Sequence, residues 1–354
     1  MRRGWISISV VAALLSLTLL HGRVLAASGE QKMPERLVFF SLRPGTSVYA
    51  STVGLSQLVN QYTPYETIVQ PYASSKARFS HLSKGTVDLS TATASNSYSY
   101  TYGIPIPVDP GVKTAYPGAR ILTGGNNLYF GWVTRTDTGI KTIADLKGHL
   151  VSGMVKGQGT MMIVAPDTLK AFGLDPEKDV KFLPSPSSTE GVKALIDGKI
   201  DATFSSLGGS KIQELVSVRG GRALPFPADK LKSVRVMPEL FKVHMLPTGY
   251  LAPLMEPTPV IGTQNFLIGR ENLPDEAAYR IVKAILEHYT ELLTVSVEFK
   301  EWGKKQAVPS DFFLPYHPGA IKYFKEQGIW TADMDVHQKE LLEKVGRLTR
   351  TGGR

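Results

Sequence analysis

The sequence predicts an α/β protein of two similar lobes joined by two chain crossings. Three observations predict it. Strand-length apolar runs alternate with helical patterns, the signature of a largely parallel sheet. That alternation occurs twice, before and after Gly148. Each copy carries the same punctuation, Gly85-Thr86-Val87-Asp88-Leu89 and Gly198-Lys199-Ile200-Asp201-Ala202, with a glycine where a helix must end and a strand begin.

In the first copy, Arg36 to Ser41 is a buried strand. Val48, Thr52, Leu55, Val59 and Tyr62 then recur at spacings of three and four, which places them on one helix face. Glu66 to Gln70 is the next strand, Ser74 to Lys84 a helix and Val87 to Thr93 a third strand. In the second copy the order is Leu150 to Met154 (strand), Thr160 to Phe172 (helix), Val180 to Leu183 (strand), Thr189 to Ile196 (helix) and Ile200 to Phe204 (strand). Arg120 to Arg135 carries the chain across to the second lobe and Val260 to Ile268 brings it back. Lobe I therefore comprises residues 27–129 and 260–354, and lobe II residues 130–259. A long helix from Pro274 to Leu293 starts with proline and an acidic first turn, Asp275 and Glu276.

The N-terminus begins with Arg2 and Arg3, then an uncharged stretch from Gly4 to Leu20 that is shorter than the ~20 apolar residues of a membrane span. Compact residues follow at Val24, Leu25 and Ala26. This pattern predicts a signal peptide over 1–26, cut between Ala26 and Ala27, and an exported, soluble, monomeric product in the periplasm. The absence of cysteine excludes a disulfide framework, a lipid-bearing cysteine and a thiolate metal site. Without residues 1–26, which hold Arg2, Arg3 and Arg23 and no acid, the formal charge falls from +9 to +6. The excess is scattered, with no basic run interleaved with aromatics. It points away from nucleic acid and toward an anionic solute.

In open parallel sheets, ligands sit beyond the C-terminal ends of strands, at the loops that lead into helices. In lobe I those loops hold Arg43, Gly45, Thr46, Ser47 and Tyr49, then Tyr72, Ser74 and Ser75, then Ser95, Asn96 and Ser97. In lobe II they hold Gly157, Gln158, Gly159 and Thr160, then Ser205 and Ser206. Helix N-termini carry unpaired N–H groups and a partial positive charge, so small and hydroxyl-bearing residues there suit an anion. The same residue types also cap helices. Arg43, just before a helix, offers a planar fork matched to a carboxylate, which makes it the expected contact of a carboxylate-bearing solute.

Several segments resemble the TAXI receptors of TRAP transporters: Asp137-Thr138-Gly139-Ile140-Lys141, Asp145-Leu146-Lys147-Gly148, Gly157-Gln158-Gly159-Thr160 and Asp197 to Ala202. The sharpest likeness lies in Pro315 to Gly328, through His317-Pro318-Gly319-Ala320, Tyr323, Glu326 and Gly328. The resemblance implies a type II periplasmic-binding fold, closure of the lobes around a solute, and delivery to membrane permease subunits driven by an ion gradient. The sequence departs from the family's pattern at Leu42-Arg43-Pro44, Ala73-Ser74-Ser75, Asn96 and Gln158, all at expected ligand loops.

His317 precedes Pro318, a good first helical residue, with Gly328 placed to end that helix, so a structural role is expected for it. The other histidines show no metal-ligand spacing, and no nucleophile elbow, dinucleotide motif or phosphate loop is present. No cofactor, metal or catalytic residue is expected. An enzyme on the same fold is the weaker alternative, and a sensor feeding a membrane-bound kinase, which would use the same closure, is the stronger one.

Overall fold

In a computed structural model of the chain, residues 33–72, 74–104, 115–155, 159–234 and 238–351 are described. From Pro34 onward they belong to one unit. The expected signal peptide over 1–26 lies outside the described residues. In chain order the elements are β1 (Arg36–Ser41), α1 (Ser47–Tyr62), β2 (Glu66–Pro71), α2 (Ser75–Lys84), β3 (Leu89–Thr93), α3 (Ala94–Tyr102) and β4 (Ala119–Arg135). Next come β5 (Leu150–Ser152), α4 (Gly159–Ala171), β6 (Lys181–Phe182), α5 (Ser188–Ile196), β7 (Ala202–Ser206), α6 (Ser210–Arg219) and β8 (Gly221–Ala223). The chain ends with β9 (Lys242–Leu246), β10 (Thr258–Arg270), α7 (Asp275–His288), α8 (Lys304–Ala307), α9 (Pro318–Glu326) and α10 (Ala332–Thr351).

The strands form one sheet in the order β2-β1-β3-β10-β4-β7-β5-β6. The predicted repeat is visible as two parallel trios, β2-β1-β3 and β7-β5-β6, at its two ends. The crossings themselves are strands, which the sequence pattern did not specify. β4 and β10 pair antiparallel to each other along most of their length, so the sheet is mixed rather than largely parallel. The Asn265–Gly269 end of β10 pairs with β3 in one half, and Phe130–Thr134 of β4 pairs with β7 in the other. Between these ends the β4–β10 register shifts at Gln264 and Phe266, opposite Gly124 to Asn127.

The local grammar follows the side chains. Val48, Thr52, Leu55 and Val59 bury the inner face of α1. Tyr62 departs from that stripe: it is exposed, stacks on His288 and bonds Glu291. Gly85 and Gly198 both take left-handed φ, at 68° and 74°, as the shared punctuation requires. α3 was read only as a loop, because Ala-Ser-Asn-Ser-Tyr-Ser-Tyr-Thr-Tyr carries no apolar period. It is nonetheless buried along almost its whole length. His317 is the N-cap of α9, with its Nδ1 accepting the Gly319 N–H at 3.3 Å and Pro318 in the first turn. Burial drives its pKa down to about 4, so the ring is neutral and free to accept that bond.

Candidate functional site

The loops at the C-terminal ends of both parallel trios face one another. After β1, Thr46 caps α1: its hydroxyl accepts the Tyr49 N–H at 3.2 Å and donates to the Arg43 carbonyl at 2.9 Å. Gly45 lies against the other half. A Cβ there would stand 3.0 Å from Thr189 Cγ2, and the Gly45 carbonyl accepts the Lys211 N–H at 3.5 Å. After β3, Thr93 caps α3 through the Asn96 N–H. Across from it, Thr160 in the first turn of α4 reaches over the gap. Its Oγ1 lies 3.0 Å from Thr93 Oγ1 and 2.9 Å from Ser95 Oγ, and all three residues are buried.

These contacts close a cavity of about 40 Å³. One half lines it with Leu42, Thr46 and Val48, with Ser75 and Arg78, and with Thr93 and Asn96. The other half supplies Phe130, Thr160, Met161, Ser188 and Ser206. Among the described residues no Asp, Glu or Lys lines it, and Arg78 is the charged one that does.

Arg78 is 1% exposed, and its Nε and Nη2 have no hydrogen-bond partner. Its guanidinium carbon stands 5.4 Å from the centre of the Phe40 ring, a cation–π contact. Burial pulls its pKa down to about 10, which still leaves it charged at neutral pH. Asn96 donates its Nδ2 to Ser75 Oγ at 3.4 Å, while its Oδ1 is unpartnered.

Of the residues expected from sequence, Thr46, Ser75, Asn96 and Thr160 line this cavity, together with Ser206. Ser47, Ser97 and Ser205 are buried close by in sequence without lining it, and the Ser47 and Ser97 hydroxyls are unpartnered. Tyr49 and Ser74 are half-buried, and Ser74 makes no side-chain capping bond. Tyr72 stacks on Phe40 with centroids 4.3 Å apart. Gly157 and Gln158 lie outside the described residues, and Gly159 is the first residue of α4.

Arg43 has an exposed side chain and is not among the cavity's lining residues, and its carbonyl accepts the Thr46 hydroxyl. Sequence reasoning missed Arg78, although a signal existed. Ser75, Arg78, Phe79 and Leu82 form the buried i, i+3, i+4, i+7 stripe of α2, and a charged residue in an apolar stripe is the anomaly.

A larger depression of about 270 Å³ opens among β9, β10 and residues 305–313. Glu239, Asp311, Lys242 and Lys305 line it with both signs of charge, and none of the expected residues that are described is among its lining.

Among the described residues no helix is long and apolar enough to cross a membrane. Comparison with solved structures gives fold likeness at low identity. A structure described as a periplasmic transporter matches with TM-score 0.53 and 16% identity, over 88% of this chain and 98% of that one. The periplasmic binding protein BugD matches with TM-score 0.53 and 10% identity, over 88% and 98%. PhnD1 from Prochlorococcus marinus, in complex with methylphosphonate, matches with TM-score 0.50 and 10% identity, over 84% and 100%. The fold is thus that of the two-lobed periplasmic binding proteins. The sequence model of the NMT1-like family matches residues 43–328, which span the cavity loops, both crossings and α9. This chain belongs to the NMT1-like family.

Proposed function

We propose that this chain is a receptor exported to the periplasm, where it captures a small organic anion between two lobes and hands it to the permease subunits of a TRAP-type transporter. The observation that carries the reading is the cavity closed by Thr160 against Thr93 and Ser95, with no acid among its described lining residues and with the buried charge of Arg78 in its wall. A buried cation with unpartnered donors is costly, and a bound anion reduces that cost.

The lobes are residues 27–129 with 260–354, and residues 130–259, closing about β4 and β10. Thr46, Ser75, Asn96 and Thr160 contribute hydrogen bonds, and Gly157, Gln158 and Gly159, which precede Thr160 in sequence, join them. Family membership and the fold shared with BugD support a solute receptor. The organic anion methylphosphonate in the complex of the similarly folded PhnD1 supports an anionic solute. The TRAP-type partner rests on the resemblance carried by Pro315 to Gly328. The receptor works as a monomer and releases its solute unchanged.

Native mass spectrometry of the protein recovered from periplasm tests this. The expected result is a chain beginning at Ala27 carrying one small organic anion that leaves chemically intact on denaturation. A chain that retains residues 1–26 in the membrane fraction, or that recovers no small molecule from a periplasmic extract, overturns the proposal.

A further inference from the structure

We infer that the carboxyl of Glu298 is a proton-operated catch between the two halves, holding them closed while it is protonated and releasing them when it ionises. The inference goes beyond the receptor reading and takes from it only that the halves move about the crossing strands.

The catch is built on the turn Val297–Trp302, which two of its own rings pin in place. A Cβ on Gly54 of α1 would stand 2.7 Å from Phe299 Cζ, and one on Gly125 of β4 would stand 2.5 Å from the Trp302 indole. Glu298 of the same turn meets the other half. A Cβ on Gly208, in the loop after β7, would fall on both oxygens of its carboxyl, and Glu298 is buried there. Gly209 extends the contact, since a Cβ at that position would stand 2.7 Å from the Gly45 carbonyl oxygen in the loop after β1. Glycine at both positions lets the loop come this close. With the turn pinned by its rings, the carboxyl reaches water when the Gly208-Gly209 loop withdraws, which separates the halves.

The surroundings favour the proton. Ser296 Oγ donates to Oε2 at a long 3.5 Å, and Oε1 has no partner. The titratable groups that face Glu298 are Glu301 on its own turn, Tyr129 on β4 and Tyr250 after β9. Glu301 accepts the Asn127 N–H at 2.7 Å and the Tyr129 hydroxyl at 2.8 Å, so it repels a charge on Glu298 and offers it no bond. Further out, His244 packs edge-on to Tyr129 with its pKa lowered by burial, and Lys211 of α6 is paired with Glu214. Among the described residues no salt bridge reaches Glu298. Burial first and Glu301 second move its carboxyl from 4.5 to about 8.

Separation of the halves returns the carboxyl to water and to its ordinary range, so the closed arrangement binds the proton more tightly. Its advantage is full below about pH 4.5 and is lost as pH rises through about 8. Between those values each pH unit shifts the closed-to-open ratio by up to about tenfold. A solute enclosed by the halves is held less tightly along the same gradient.

Solution scattering of the solute-free protein at pH 5 and pH 9 tests this, with circular dichroism as the check on folding. Wild type is expected to be compact at pH 5 and to have a larger radius of gyration at pH 9, with its helix signal unchanged. Glu298→Gln keeps the size without ionising and is expected to stay compact at both. Gly209→Ala puts a methyl group where the halves meet, at a backbone φ of −71° that alanine adopts freely. It is expected to be expanded already at pH 5.

A wild-type radius that is the same at both pH values overturns the inference. So does a Glu298→Gln variant that expands as wild type does, an expansion accompanied by loss of helix, or a Gly209→Ala variant as compact as wild type at pH 5. No solute enters the experiment, so these outcomes leave the receptor reading standing. That reading fails separately, when no small molecule is recovered with the periplasmic protein.

Discussion

Thr160 Oγ1 lies 2.9 Å from Ser95 Oγ, and that single contact ties the first turn of α4 in one half to the first turn of α3 in the other. The same hydroxyl meets Thr93 at 3.0 Å, so one side chain bridges the two loops that form the cavity wall. Both bonds span the gap, which makes the closed arrangement sensitive to this position.

Thr160→Val keeps the shape and removes the hydroxyl. With each hydrogen bond contributing about 0.5–1.5 kcal/mol, loss of the pair is expected to weaken solute affinity by roughly 5- to 150-fold. The free protein should also show a larger radius of gyration by solution scattering, since the open arrangement gains population. A variant with unchanged radius and affinity would show that closure does not depend on this bridge.

Arg43 and Arg78 are expected to behave oppositely. Arg43 is exposed and only its carbonyl is used, by Thr46, so Arg43→Ala should leave affinity within about twofold of wild type. A tenfold loss measured by calorimetry would mean that the loop after β1 reaches the solute in another arrangement.

That contrast also marks what the sequence made legible. Strand and helix positions were readable because β1 and α1 write burial as periodicity, and Gly85 and Gly198 mark helix ends through a backbone conformation that few other residues adopt. The loops were readable because topology places them. Which side chain of a loop or helix turns inward was not, since burial at Arg78 is decided by packing against Phe40 of β1, an element remote from α2 in sequence. α3 escaped notice for a related reason. Its serines, threonine and tyrosines are buried by neighbours rather than by their own hydrophobicity.

The crossing strands make a further prediction. Gly125 of β4 faces Trp302, and a Cβ there would stand 2.5 Å from the indole ring, whose Nε1 donates to Asn126 Oδ1 at 2.9 Å. Trp302 is fully buried and cannot yield without breaking that bond. Gly125→Ala is therefore expected to destabilise the fold by about 1–3 kcal/mol, as overpacking does in a filled core. Urea unfolding measures it, and a midpoint equal to wild type would show that the segment Val297–Trp302 shifts freely.

The same segment carries Glu298, which is 6% exposed and packed against Gly208 in the loop after β7. Burial first and the neighbouring Glu301 second raise its pKa, hydrogen bonds from Ser296 and Asn126 pull it back, and together they move it from 4.5 to about 8. Glu301 stays occupied with the Asn127 backbone N–H at 2.7 Å and the Tyr129 hydroxyl at 2.8 Å, so it offers Glu298 repulsion rather than a partner. A carboxyl whose folded pKa lies above its unfolded value binds its proton more tightly when folded. Its contribution to stability is full below about pH 4.5 and is lost as pH rises through about 8. Between those values the loss from one proton runs at about 1.4 kcal/mol per pH unit. Glu298→Gln keeps the size and stays neutral throughout, so other titrating groups cancel in the comparison. Urea unfolding from pH 5 to pH 9 is expected to show the variant gaining on wild type up to about pH 8 and level above it. A stability difference that does not change with pH would mean that Glu298 is already hydrated in the folded chain.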